Sequence, residues 1–244
     1  MTINSKGRIY SWGWNNHGQC GHSIFSTFET VMIPNFNREK NIEFPILPVL
    51  NYLKPGKPII IPEMSNIKHV VCGEDLSFIV DDSGNAFSFG DNTKGKLGLG
   101  HTNEVNKPTI ITELQGKVKE IKTSGEINMA ITHDNCIYIW PVDFFKQNYK
   151  PVRLFLEKKI VILTVSCGKN FAFLLTKQGV VYSYGKSNKS GELGLGDYKP
   201  RIIPEPILSL AGAGEKITQL SCGYKHCLAK NSLGKVFTWG NVRL

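Results

Sequence analysis

Two stretches of this sequence hold residue types that could do chemistry. Residues 90–96 read Gly-Asp-Asn-Thr-Lys-Gly-Lys. That is the spacing of a loop that wraps phosphate oxygens in backbone amides and reaches them with a lysine. Such a loop needs Ser or Thr next, to hold magnesium, and then a helix whose N-terminus faces the phosphates. Here Leu97 follows, and Gly98 and Gly100 would break a helix. Nucleotide binding is therefore not expected, and no cofactor is assigned. The second stretch places Cys222, His226 and Cys227 close together. It contains no CxxC pair, and a structural zinc ion takes four convergent ligands, so no metal is expected. There is no Gly-x-Ser-x-Gly elbow and no spacing that argues for a Cys-His-Asp constellation. No catalytic residue is nominated.

What explains these glycines and cysteines is repetition, which decides a fold before anything else does. One short stretch occurs at residues 7–13, 84–90, 179–185 and 234–240, with a worn copy at 135–141. Its fourth residue is aromatic in each copy (Tyr10, Phe87, Tyr138, Tyr182, Phe237), and so is its sixth (Trp12, Phe89, Trp140, Tyr184, Trp239). Residues two apart share one face of a strand, so each copy lays two rings on the same side. Gly13, Gly90, Gly185 and Gly240 close the stretch. Upstream, Gly73, Gly125, Gly168 and Gly223 mark a bend, preceded by Cys72, Cys167 and Cys222 in three of the units. This reads as strand, glycine bend, strand, short turn, aromatic strand. The cysteines at one repeat position read as small buried strand fillers rather than disulfide partners. Three places after the bend glycine stand Leu76, Asn128, Phe171 and His226. His226 reads as a buried, satisfied structural residue rather than a base. A third element, Gly95 to Gly100 and Gly191 to Gly196, with a weaker copy from Gly18 to Gly21, follows the aromatic strand. Pro108 and Pro204 fall at matching offsets after it.

These anchors divide the chain into units at 63–115, 116–158, 159–213 and an incomplete 214–244, preceded by the tail half of a unit. The unit at 116–158 is worn, yet Met129, Ile131, Tyr138 and Trp140 keep the alternation, so its strands should survive. Residues 25–62 match nothing else and carry six prolines between 34 and 62. This insert reads either as a binding loop or as a tolerated addition. Lys54 and Lys57 in the insert, with Asp91 and Asn92 in the best-preserved loop, are the candidate partner-binding residues.

Four short strands cannot bury two rings alone. Neighbouring units must stack face to face, which makes the whole of 1–244 a single all-β repeat domain of the β-propeller kind. The aromatic pairs then become packing between blades. Net charge is +9, with lysines clustered at Lys117, Lys119 and Lys122 and again at Lys146, Lys150, Arg153, Lys158 and Lys159. That balance suits an acidic partner, nucleic acid or an acidic protein surface, and equally a plain solvated surface. No apolar run approaches the ~20 residues of a membrane span, and the start carries no apolar signal segment. An intracellular place is expected, nuclear or cytoplasmic.

The chain resembles the regulator of chromosome condensation repeat family. The residues that carry the likeness are Gly179 to Gly185, Gly191 to Gly196, Pro204 and the run Ser221 to Ala229. The pattern covers everything but the insert. The resemblance implies a seven-bladed propeller. This chain has about four to five blades, so it reads as part of a longer ring or as an open arc with an exposed aromatic face. The resemblance implies a non-catalytic protein-interaction scaffold. The alternative it implies is guanine-nucleotide exchange on the small GTPase Ran, with chromatin docking. The four tryptophans raise the family's ultraviolet-B photoreceptor branch, but three of them hold the ordinary packing position and no dense tryptophan–arginine cluster accompanies them.

Overall fold

A computed structural model describes residues 1–21, 59–61, 64, 66–141, 149–156, 160–210, 212 and 215–241. They form five antiparallel sheets, each a meander in chain order. The first contains β1 (Thr2–Ile3), β2 (Ile9–Ser11) and β3 (Ile59–Ile60). The second contains β4 (Ile67–Cys72), β5 (Leu76–Asp81), β6 (Ala86–Gly90) and β7 (Val105–Ile110), and the third β8 (Val118–Thr123), β9 (Asn128–Thr132), β10 (Ile137–Trp140) and β11 (Val152–Leu154). The fourth contains β12 (Ile162–Gly168), β13 (Phe171–Thr176), β14 (Val181–Gly185) and β15 (Arg201–Pro206). The fifth contains β16 (Ile217–Cys222), β17 (His226–Asn231) and β18 (Val236–Gly240). The worn third unit thus keeps all four strands. β3 pairs with β2 through Tyr10 and Ser11, so residues 59–60, inside the stretch read as an insert, form the outer strand of the first sheet.

Sheet-to-sheet packing builds the core, in four clusters for four junctions. Alternation along the second strand of each sheet sets the direction. Leu76, Phe78 and Val80 of β5 point forward and pack with Val118, Ile121 and Trp140 of the third sheet. Ile79 of the same strand points back, to Ile9 of the first sheet. Ile127, Met129 and Ile131 meet Ala172, Leu174 and Tyr184, and Phe171, Phe173 and Leu175 meet Cys227 and Ala229, with Trp239 packed alongside. The sixth-position aromatics therefore reach back onto the preceding sheet. Trp140 sits edge-on to Phe78 with ring centres 5.6 Å apart, and Trp239 edge-on to Phe173 at 5.4 Å. Trp12, which has no preceding sheet among the described residues, is 43% exposed.

Three expectations need correction. The bend residue of the third unit is Ser124, not Gly125. Ser124 donates its amide to Ile127 O at 3.1 Å, as Gly73 does to Leu76 O and Gly223 to His226 O. Ile127, not Asn128, then fills the third place. A Cβ on Gly168 would fall 2.1 Å from the Phe171 ring, and one on Gly223 would fall 2.3 Å from the His226 ring. In the third unit, where Ile127 fills the third place, the bend residue is serine. His226 is the second correction: it is exposed. It belongs to the forward face of the fifth sheet, and no described sheet covers that face. The repeat cysteines are also less buried than expected, Cys72 being exposed and Cys167 and Cys222 half-buried.

Candidate functional site

The best-preserved loop shows where its polar residues go. β6 ends at Gly90, whose φ of +114° and close approach to Asp75 O, 2.4 Å from an added Cβ, admit glycine alone. The chain then enters a single 3-10 turn, Thr93–Gly95, so no helix presents its amides to a phosphate. Asn92 is fully buried. Its amide nitrogen donates to His101 O and Asn103 O, both at 2.9 Å, and its oxygen accepts from Leu97 N at 2.9 Å. Asp91 accepts from Thr93 N and Oγ1, each at 2.8 Å, and pairs with Lys96 at 3.0 Å. Burial pushes the Asp91 carboxyl up, but the Thr93 and Lys96 hydrogen bonds outweigh it and hold the group below the usual range. Lys96 also reaches Glu126 of the next sheet at 3.6 Å. Its backbone oxygen accepts from Trp140 Nε1 at 2.9 Å.

The same lock recurs. Asn188 donates to Asp197 O and Lys199 O and accepts from Leu193 N. Asn15 accepts from Cys20 N at 2.8 Å. Gln19 reaches Asp75 of the following sheet at 3.5 Å, as Lys96 reaches Glu126. Trp239 Nε1 donates to Glu192 O as Trp140 does to Lys96 O. Sequence reasoning singles out Asn92 for partner binding and passes over Asn15 and Asn188, although the signal of a shared structural role is there: each stands three residues before the first glycine of the Gly-x-(Leu/Cys)-Gly element.

Of the structural repeat residues, Gly90, Gly185 and Gly240 end β6, β14 and β18, while Gly13 lies just past β2. Gly73, Gly168 and Gly223 stand at the bends. Phe89 and Tyr184 are buried between sheets and Trp239 partly so. Asp91 and Asn92 come together with their polar atoms engaged within the loop and with Lys96. Lys54 and Lys57, the other half of the candidate partner set, lie outside the described residues.

A different grouping is accessible. The first strands β4, β8, β12 and β16 run beside one another in succession. Thr164 Oγ1 donates to Glu120 at 3.2 Å, and Cys222 N donates to Ser166 Oγ at 3.1 Å. Between β4 and β8 lies a groove of about 390 Å³ lined by Lys68, His69, Lys119, Lys122 and Glu120 with three aliphatic neighbours. Glu120 is already paired to Lys122 at 3.1 Å, so the groove is net basic. Partial burial first, then neighbouring Lys68, holds His69 below its ordinary pKa. The groove between β12 and the fifth sheet is of similar size, about 420 Å³, but is lined by Thr164, Thr218, Gln219, Ser221 and aliphatic residues with Lys230 alone charged. Among the described residues no His, Cys, Asp and Glu cluster could hold a metal ion, and no helix is long and apolar enough to cross a membrane.

The repeat itself decides the family. The Regulator of chromosome condensation (RCC1) repeat matches residues 6–80, 83–131 and 178–229, well over half of the chain. The chain belongs to the RCC1 repeat family. Ultraviolet-B receptor UVR8 of Arabidopsis thaliana is 28% identical over 241 residues, 95% of this chain and 48% of that protein. Human WBSCR16 matches in structure with a TM-score of 0.76 at 23% identity, over 97% of this chain and 57% of that one. Prp20p of Saccharomyces cerevisiae, whose structure was described with its binding properties to Gsp1p and histones, matches with a TM-score of 0.64 at 23% identity, over 75% and 48%. These structures place the five sheets as part of an RCC1 β-propeller. The RCC1 repeat chain spans about half or less of the length of the curated relatives it matches.

Proposed function

We propose that this RCC1 repeat chain is a non-catalytic protein-interaction scaffold inside the cell, in the nucleus or cytoplasm, with an acidic protein surface as partner. The observation that supports this best is how the polar side chains are divided. Lys96, Asp91, Asn92 and Asn188 are committed to the loops and junctions. The basic groove of Lys68, His69, Lys119 and Lys122 is open to solvent beside the aligned first strands. Such a groove favours acidic ligands through a local field that salt weakens. The insert, with Lys54 and Lys57, is proposed as a second contact on the same single repeat domain, whose units run at 63–115, 116–158, 159–213 and 214–244.

The test is capture of partners from cell extract by the wild type and by the double variant Lys68→Glu, Lys119→Glu. Circular dichroism serves to show that the variant is folded. The scaffold reading expects a partner held at low salt, released as salt rises, and absent from the variant. Identical captured sets would overturn it. Deleting residues 25–57, which stops short of β3, should leave the thermal midpoint nearly unchanged and weaken capture.

A second reading is guanine-nucleotide exchange on the small GTPase Ran with chromatin association. The likeness to Prp20p, a protein described with Gsp1p and histone binding, favours it. Exchange needs no acid–base pair, only tighter binding of the nucleotide-free GTPase than of the loaded one. Release of labelled GDP from Ran at substoichiometric amounts of this chain would establish exchange and displace the scaffold-only reading.

A further inference from the structure

Cys222 is the last residue of β16 and Cys227 the second of β17, directly opposite one another across the hairpin. Gly223 N donates to His226 O at 2.9 Å and closes the bend. The next rung outward, Cys222 with Cys227, is therefore the closely spaced kind whose members share no backbone hydrogen bonds. Cys222 N bonds instead to Ser166 Oγ. The two sulfurs lie 3.3 Å apart. The same rung pairs Cys72 with Ser77, Thr123 with Asn128 and Cys167 with Ala172 in the other sheets. Among the described residues the fifth sheet alone sets a thiol against a thiol. Cys227 is buried and Cys222 half-buried, so a small oxidant can reach one member while the other is sheltered.

We propose that Cys222 and Cys227 are a reversible dithiol–disulfide site, oxidised by hydroperoxides and reset by thiol reductants. A disulfide has its sulfurs about 2.05 Å apart, so closing this pair asks for an approach of about 1.2 Å, within the reach of side-chain rotation at a close rung. The Cys222 thiolate attacks a peroxide oxygen and the O–O bond breaks. The departing oxygen takes a proton and leaves as alcohol or water, and Cys222 becomes a sulfenic acid. The Cys227 sulfur then attacks the Cys222 sulfur. The S–O bond breaks, hydroxide leaves with the Cys227 proton as water, and the disulfide remains. Two electrons pass from the thiols to the peroxide. The order follows from the surroundings. The hydrogen bond from the Cys227 thiol holds Cys222 below the ordinary thiol range, and burial pushes Cys227 up. An external thiol reverses the bond by exchange. The site stands apart from the scaffold reading and survives its failure.

Lys225 lies between the two cysteines, and Lys216 and Lys230 flank them, so trypsin separates them onto peptides 217–225 and 226–230. After hydrogen peroxide treatment of the whole chain and blocking of free thiols, these two peptides should be recovered joined, lighter than their sum by two hydrogens, and apart again after reduction. A trap for sulfenic acid should label Cys222 in the Cys227→Ser variant. In Cys222→Ser, oxidation of Cys227 should slow at least about tenfold, as expected for a buried thiol without its partner. The proposal fails if Cys222 is found joined to Cys167, or is carried to sulfinic acid in the wild type while Cys227 stays reduced. It fails equally if neither thiol is consumed at peroxide levels that oxidise exposed Cys72. The wild-type peptide map reads out without any variant having to fold.

Discussion

The junction between the fourth and fifth sheets and the two outer faces of the array use the same repeat positions to opposite effect. At the junction, Phe173 from one sheet meets Trp239 from the next, edge to face, and the Trp239 nitrogen donates to Glu192 O. Phe78, Trp140 and Lys96 repeat the arrangement one junction earlier. On the outer faces the same two positions hold Leu228, 42% exposed, and Trp12, 43% exposed. A residue's place in the repeat fixes where its side chain points. The presence of a neighbouring sheet decides whether that direction is core or surface. His226 follows the same rule: its place would be sheltered in an inner sheet and is open in the fifth.

The sharpest way to break this comparison is to remove the ring at an inner junction. Trp140→Ala should cost about 3–5 kcal/mol in chemical denaturation, since it deletes a fully buried ring and a hydrogen bond to Lys96 O. Asn188→Ala should cost about 2–3 kcal/mol by the same measurement, because it strands Leu193 N and two loop carbonyls. At the bends, Gly168→Ala should cost about 1–3 kcal/mol from the clash with Phe171. Ser124→Gly, at the same position of the third unit, should change the midpoint little.

Acid should sharpen the picture of the loops. Asp91 titrates lower in the fold than in the unfolded chain, so its contribution is present above the ordinary carboxylate value, near ~4, and fades as pH falls through the depressed folded value. The difference in thermal midpoint between wild type and Lys96→Met should therefore shrink as pH drops from neutral into that window. A gap that stays constant would show the Lys96–Asp91 pair to be idle. The smallest effect belongs to the outer face. Trp12→Ala should cost under about 1 kcal/mol, and a loss matching that of Trp140→Ala would mean that Trp12 is covered in solution.

Much of this fold was legible because strand alternation and glycine chemistry are local. Aromatics two apart at Tyr182 and Tyr184 announce a shared face, and a Gly-x-Leu-Gly run announces a turn. Burial was less legible, because it depends on what lies across the face. Trp12 and Cys72 look in the sequence like their inner counterparts Trp140 and Cys167 but are exposed among the described residues, and nothing local in the sequence shows that His226 faces outward. The third bend was misplaced by one residue because Gly125 sits beside Ser124, and the requirement for glycine lapses when Ile127 replaces an aromatic ring. The asparagine locks were overlooked beside the louder glycines. The basic groove could not be read, since Lys68 and Lys119 are far apart in the chain and meet only when β4 and β8 run side by side.

Lys96 reaching Glu126, and Gln19 reaching Asp75, each tie a loop to the sheet that comes after it. Cohesion in such an array is passed hand to hand rather than pooled in a common centre. Amide exchange should accordingly be quickest in β1, β2 and β18 and slowest in β9 and β13, with order lost by shedding from the flanks before the middle gives way.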